Sequence, residues 1–98
     1  MSLPVVLSAA AEADVQEAAL HYEKQRAGLG VRFVRQLRDA CSRIGDHPDI
    51  YLEVLDGVRR APVRRYAYGV FYRTRADRVD VIAVFHNRRD PRIWKTRV

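Results

Sequence analysis

Arginine dominates the chemistry open to this chain. Arg59, Arg60, Arg64 and Arg65 crowd into one short stretch, Arg73 follows on the next apolar run, and Arg88 and Arg89 lie in His86-Asn87-Arg88-Arg89-Asp90-Pro91-Arg92-Ile93-Trp94. A guanidinium is permanently charged and planar, and its forked N–H donors match phosphate and carboxylate. His86 adds an imidazole, which titrates near neutrality and can act as acid or base. Together they can grip an anionic macromolecule, or stabilise charge on a phosphate while a proton moves. The sequence has no Gly-rich phosphate loop, no paired histidines at metal spacing and no G-x-S-x-G elbow. Neither cofactor nor metal is therefore expected. His21 and His47 read as surface or capping residues, and Cys41 as filling of a helix core.

The charge is unevenly placed. Residues 1–56 carry a net −3 and residues 57–98 a net +9, within an overall +6. Most of the cations are arginines, Lys24 and Lys95 being the two lysines. A positive field confined to one half suggests a nucleic-acid-associated target or an acidic protein partner. Arg59, Arg60, Arg64 and Arg65 on one apolar sheet repel each other, which argues that an anion opposes them.

These residues need elements to position them. Residues 3–7 read as a short strand with Pro4 near its start, and Ser8 as the N-cap of a helix. Glu12 and Asp14 then complement the positive end of the helix dipole, while Val15, Ala18, Ala19 and Tyr22 form one buried stripe. Gly28 and Gly30 end that helix. A second follows with Phe33, Val34, Leu37, Ala40, Cys41 and Ile44 on one side, closed by His47-Pro48-Asp49.

From Leu52 the apolar period changes from 3.6 to 2. Residues 52–55, 58–65, 68–74 and 79–85 read as strands, with turns at Asp56-Gly57 and Ala76-Asp77. Pro62 places the second of these at an edge or bulge. The last is apolar on both faces and should be central. The tail from His86 is left open. Two helices followed by an antiparallel run predict an α+β fold, a helical hairpin on a curved, mainly antiparallel sheet of 3–5 strands. Its arginine-bearing strands should leave the other face free for a partner.

Length and composition set outer bounds. The 98 residues, 48% hydrophobic and 31% charged, suit one globular domain over 1–98. One cysteine excludes an intrachain disulfide and fits a reducing cytoplasm. No apolar stretch reaches the roughly 20 residues of a membrane helix. The run Ala9-Ala10-Ala11 loosely resembles a signal-peptide cleavage site. No positive charge precedes it, so a buried strand entering a helix is the better reading.

The segment from Ala11 to Tyr22, then Gly28-Leu29-Gly30 and Phe33, resembles the helical hairpin of RelE/ParE toxins. Gly57-Val58-Arg59-Arg60 and Tyr68-Gly69-Val70-Phe71-Tyr72-Arg73 resemble their central strands, and His86-x-Arg88-Arg89-Asp90-Pro91-x-x-Trp94 the C-terminal signature of the ParE-like branch. The resemblance implies the toxin of a type II toxin–antitoxin (plasmid stabilisation) system, in complex with a cognate antitoxin. It also implies one of two targets. RelE-type members cut messenger RNA on the ribosome, whereas ParE-type members bind DNA gyrase and stall it on broken DNA without being enzymes.

Matched to the nuclease branch, Arg60 and Arg88 retain two expected cations and His86 could supply acid or base chemistry. Pro62 stands where another basic residue is expected, Gly69 where a catalytic arginine usually lies, and Trp94 where a tyrosine does. Arg64, Arg65 or Arg73 could substitute. The departures favour gyrase, with an endoribonuclease using His86, Arg60 and Arg88 as the alternative and a non-toxic RNA-binding module as a third reading. The expected target-binding set is Arg59, Arg60, Arg64, Arg65, Arg73, Arg88, Arg89 and Trp94. For Trp94, a pin holding the tail to the domain is preferred over an exposed contact. Tyr66, Tyr68, Phe71, Tyr72 and Phe85 could form a platform for bases, but sheet core is preferred.

Overall fold

Ser8 begins the first helix as its position suggests, its side-chain oxygen accepting the Ala11 N–H at 3.0 Å. The computed structural model describes residues 2–98. Its elements run β1 (Val5–Leu7), α1 (Ala9–Gln25), α2 (Leu29–Asp46), β2 (Glu53–Leu55), β3 (Val58–Val63), β4 (Tyr68–Thr74), β5 (Val79–His86) and α3 (Pro91–Lys95). The sheet order is β1-β5-β4-β3-β2, with β1 parallel to β5 and every other pairing antiparallel. The α+β hairpin-on-sheet architecture read from the sequence is present.

The helices cover one face. Phe33, Leu37, Ala40 and Ile44 of α2 and Ala11 and Ala18 of α1 bury against Val63, Val70, Tyr72, Val79, Val81 and Val84. Phe33 is the hub of an aromatic group, with Tyr22, Tyr66 and Tyr68 at ring distances of 5.0–5.3 Å. These rings are core, as is Tyr72, whose hydroxyl donates to the Pro48 carbonyl at 2.6 Å and fastens the loop before β2. Gly30 does not end a helix. It lies in the first turn of α2, where a Cβ would come within 2.7 Å of the Ala19 carbonyl oxygen, so glycine permits the two helices to approach.

The opposite face is not open along its whole length. Val58, Phe71, Ala83 and Phe85 form a second apolar cluster, capped by Trp94 from α3. The Trp94 indole stacks on Phe71 with centroids 4.5 Å apart and is 3% exposed. The tail is thus a short helix, started by Asp90, whose side chain accepts the Arg92 N–H, and by Pro91 in the first turn. β3 stops at Val63, two residues before the expected end, because residues 64–67 form the turn into β4. Past Arg60, β3 has no partner on its β2 side, which is where Pro62, lacking an N–H, can sit.

Candidate target-binding site

Strand alternation divides the arginines that the sequence groups together. Arg59 and Arg60 are successive residues of β3, so their side chains leave on opposite faces. Arg59 pairs with Tyr72 across the ladder, and its guanidinium donates to the carbonyls of Tyr51, at 2.7 Å, and Asp49. It is a bracket for the loop between α2 and β2. Arg60 lies with Phe71 on the far face, its charge 5.9 Å from that ring centre, and hydrogen-bonds the Asn87 side chain. The single arginine face expected from the sequence is therefore corrected to a dispersed set.

The others scatter further. Arg64 and Arg65 are exposed in the β3–β4 turn. Arg73 sits opposite Asp80 near the β4–β5 hairpin, and Asp80 itself binds Arg75 and Arg78. Arg78 and Arg75 hold the Asp80 carboxyl below the usual range through these hydrogen bonds. Arg88 is exposed, and its backbone N–H donates to His86 Nδ1 at 3.0 Å. Arg89 stands 4.0 Å above the Phe85 ring and 3.6 Å from the Asp14 carboxylate. Trp94, in the expected target-binding set, is placed in the core instead.

One cleft does gather several of these residues. Arg60, His86, Asn87, Arg89 and Pro91 line a depression of about 300 Å³ floored by the Phe71, Phe85 and Trp94 cluster. A Cβ at Gly69 would overlap the Arg60 guanidinium, 2.7 Å from its Cζ. The absent side chain therefore makes room for Arg60 to lie flat over β4. His86 contacts the Tyr68 ring edge-on at 5.2 Å, on the helix-covered side of β5, so it reaches the cleft from its rim. With Nδ1 accepting a backbone N–H, Nε2 is the imidazole nitrogen left to face a ligand. The cleft can present fixed guanidinium donors to an anion, and one imidazole.

Sequence reasoning missed Asp14 and Arg97. The Asp14 side chain is 4% exposed and accepts the Val84 N–H at 3.0 Å as well as two bonds from Arg97. β1 pairs with β5 only as far as Val81, and Asp14 satisfies a donor farther along that edge. Arg97 also donates to the Ile82 carbonyl at 3.2 Å. No local pattern marks this contact. One sign was available, an acidic residue on the apolar side of α1 between Ala11 and Ala18.

A second surface lies on the helical hairpin. A groove of about 720 Å³ runs between α1 and α2, lined by Ala19, Leu20, Val31 and Val34 with Glu23, Arg35 and Arg38 at its margin. Leu20 and Val31 are more than half exposed there. Among the described residues no group of His, Cys, Asp or Glu could hold a metal ion, and no helix is long and apolar enough to cross a membrane.

A family model described as "ParE toxin of type II toxin-antitoxin system, parDE" matches residues 5–91. Among solved structures, the chain is similar to one titled "Chromosomal ParDE TA system from P. aeruginosa", with a TM-score of 0.77 and 12% identity. That match covers 87% of this chain and 96% of the other. At that identity the likeness speaks for the fold. No curated protein matches.

Proposed function

This chain belongs to the family of ParE toxins of type II toxin–antitoxin systems, and we propose that it arrests growth by binding DNA gyrase rather than by cutting RNA itself. The observation that carries this reading is the packing of Arg60 into the space over Gly69. In the nuclease branch an arginine is expected at that position, and here a side chain would have to displace the Arg60 guanidinium from the place it occupies. RNA cleavage also needs an acid and a base on opposite sides of the phosphate. The cleft offers one imidazole, with one nitrogen already engaged. Arg60, held against Asn87 and Phe71, is a preorganised contact group for an acidic or phosphate-bearing surface.

A cognate antitoxin neutralises the chain in this reading. The groove between α1 and α2 combines an apolar floor with Arg35 and Arg38, while its one lining acid, Glu23, is engaged by the Gly28 and Gly30 N–H groups. This suits an amphipathic helix bearing acidic residues. Folding such a segment on contact costs about 2–5 kcal/mol of the gross interaction, so a wide apolar surface is required. Ribosome-dependent cleavage remains the second reading because Arg60 and His86 line the same cleft.

Induced expression, alone and with the neighbouring antitoxin gene, tests the proposal. Loss of plasmid supercoiling and intact transcripts, both rescued by the antitoxin, are expected. Translation-dependent transcript cleavage with unchanged supercoiling would overturn the gyrase reading.

A further inference from the structure

We propose that the cleft between α2 and the β3–β4 turn is a phosphate-binding site through which the chain contacts the backbone of duplex DNA. This cleft, of about 440 Å³, is lined by Leu29, Arg32, Arg35, Gln36, Arg65 and Tyr66. No carboxylate lines it. Arg32, Arg35 and Arg65 are exposed, and none makes an ion pair or side-chain hydrogen bond among the described residues. Arg75, Arg78, Arg89, Arg92 and Arg97 have carboxylate partners, whereas other arginines such as Arg64 and Arg88 have none among the described residues. What sets this cleft apart is that three unpaired guanidinium side chains line one depression.

Arg65 supplies an independent observation. Its φ of 70° makes it the one non-glycine residue with left-handed backbone among those described. Glycine or asparagine adopts that conformation at less cost. An arginine in a turn position that suits glycine, with no partner inside the protein, is what a contact with an outside anion would require.

Three forks around one cleft can bracket the non-bridging oxygens of backbone phosphodiesters, which duplex DNA presents at about one charge per 1.7 Å of axis. The N-terminus of α2 is not part of the site, because the Glu23 carboxylate already accepts the Gly28 and Gly30 N–H groups. Tyr66 is the one aromatic lining residue, and its ring is committed to Phe33 and Tyr22. No free ring is left to stack an unpaired base, so the site reads backbone phosphate and favours a duplex over a single strand. This surface is distinct from the far-face cleft, shares Arg35 with the groove between α1 and α2, and does not depend on the identity of the toxin's protein target.

Fluorescence anisotropy with a short labelled DNA duplex, over about 50–200 mM salt and without any target protein, tests the proposal. Arg65→Gly is the informative variant, since the left-handed backbone there suits glycine and the fold should tolerate it. It and Arg35→Gln should each weaken binding about tenfold and lower the log–log salt slope by about 1. Arg75→Gln, which removes the same charge from an arginine already paired with Asp80, should leave both at wild-type values. A wild-type chain that does not bind the duplex would overturn the proposal. So would Arg65→Gly binding like wild type, or a single-stranded RNA or poly-glutamate peptide binding more tightly than the duplex through Arg65.

Discussion

Asp14 Oδ2 accepts an N–H of Arg97 at 2.6 Å across a sequence separation of 83. This bond joins the first helix to the end of the chain. The same carboxylate holds the Val84 N–H, so one buried acid fixes α1, β5 and the tail relative to each other. The tail in turn carries Trp94 onto Phe71 and helps wall the cleft that displays Arg60.

Removing Arg97 would leave that carboxylate buried with Arg89 as its remaining cation, 3.6 Å away. Breaking a buried pair costs about 3–5 kcal/mol, and the residual Arg89 contact puts Arg97→Ala at the lower end. Asp14→Ala should cost about as much. Urea unfolding of both single variants and the double variant should show strong coupling. Additive effects would mean that the two side chains act independently.

Trp94 is the only tryptophan, which makes the tail's position optically visible. Its burial on Phe71 and Phe85 implies blue-shifted emission and poor acrylamide quenching in the native chain. Trp94→Ala should destabilise by about 3–5 kcal/mol. Emission typical of water-exposed indole in the folded protein would contradict the observed packing.

Gly69 and Arg60 make a steric prediction. Gly69→Ala places a methyl where the guanidinium lies, and because that is the far end of a flexible side chain, Arg60 should swing aside with little change in stability. The Arg60–Asn87 hydrogen bond should be lost, seen as a change in the Asn87 side-chain amide resonances. Unaltered resonances would show that Arg60 is not held there.

The half-buried Cys41 and the buried Tyr72 weaken the fold at alkaline pH. Burial pushes the Cys41 thiol from its ordinary 9.0 up to about 11, and the Tyr72 hydroxyl up to about 12. Both are neutral when protonated, and the folded state holds the proton more tightly than the unfolded state. Their contribution is complete below about pH 9 and is lost as pH rises through the folded values. The melting temperature should therefore fall above about pH 9, with Cys41→Ala showing a shallower fall. Native Cys41 should also react slowly with iodoacetamide at pH 8, and fast alkylation of the folded chain would contradict this burial.

Local signals carried much of the fold. The Ser8 cap, the period of α2 and the Asp56-Gly57 turn, where Gly57 has φ of 76°, are properties of neighbouring residues. So is the two-faced apolar character of Val79 to Phe85, which fits β5 as an interior strand between β1 and β4. The site was less legible. Period-2 alternation itself separates Arg59 from Arg60, yet proximity in sequence suggested a shared face. Asp14 read as a helix-dipole charge because its partners, Val84 and Arg97, are remote in the chain. The helix at Pro91–Lys95 is too short to show a period, and packing of Trp94 rather than local propensity accounts for it.

The central claim, that Arg60 on the far face grips gyrase, is tested most directly by trapping of cleaved plasmid DNA with purified gyrase. The wild-type chain should accumulate linear DNA after detergent and protease treatment. Arg60→Gln should lose this effect while still binding the antitoxin. No trapping by the wild-type chain, or full trapping by Arg60→Gln, would contradict the account.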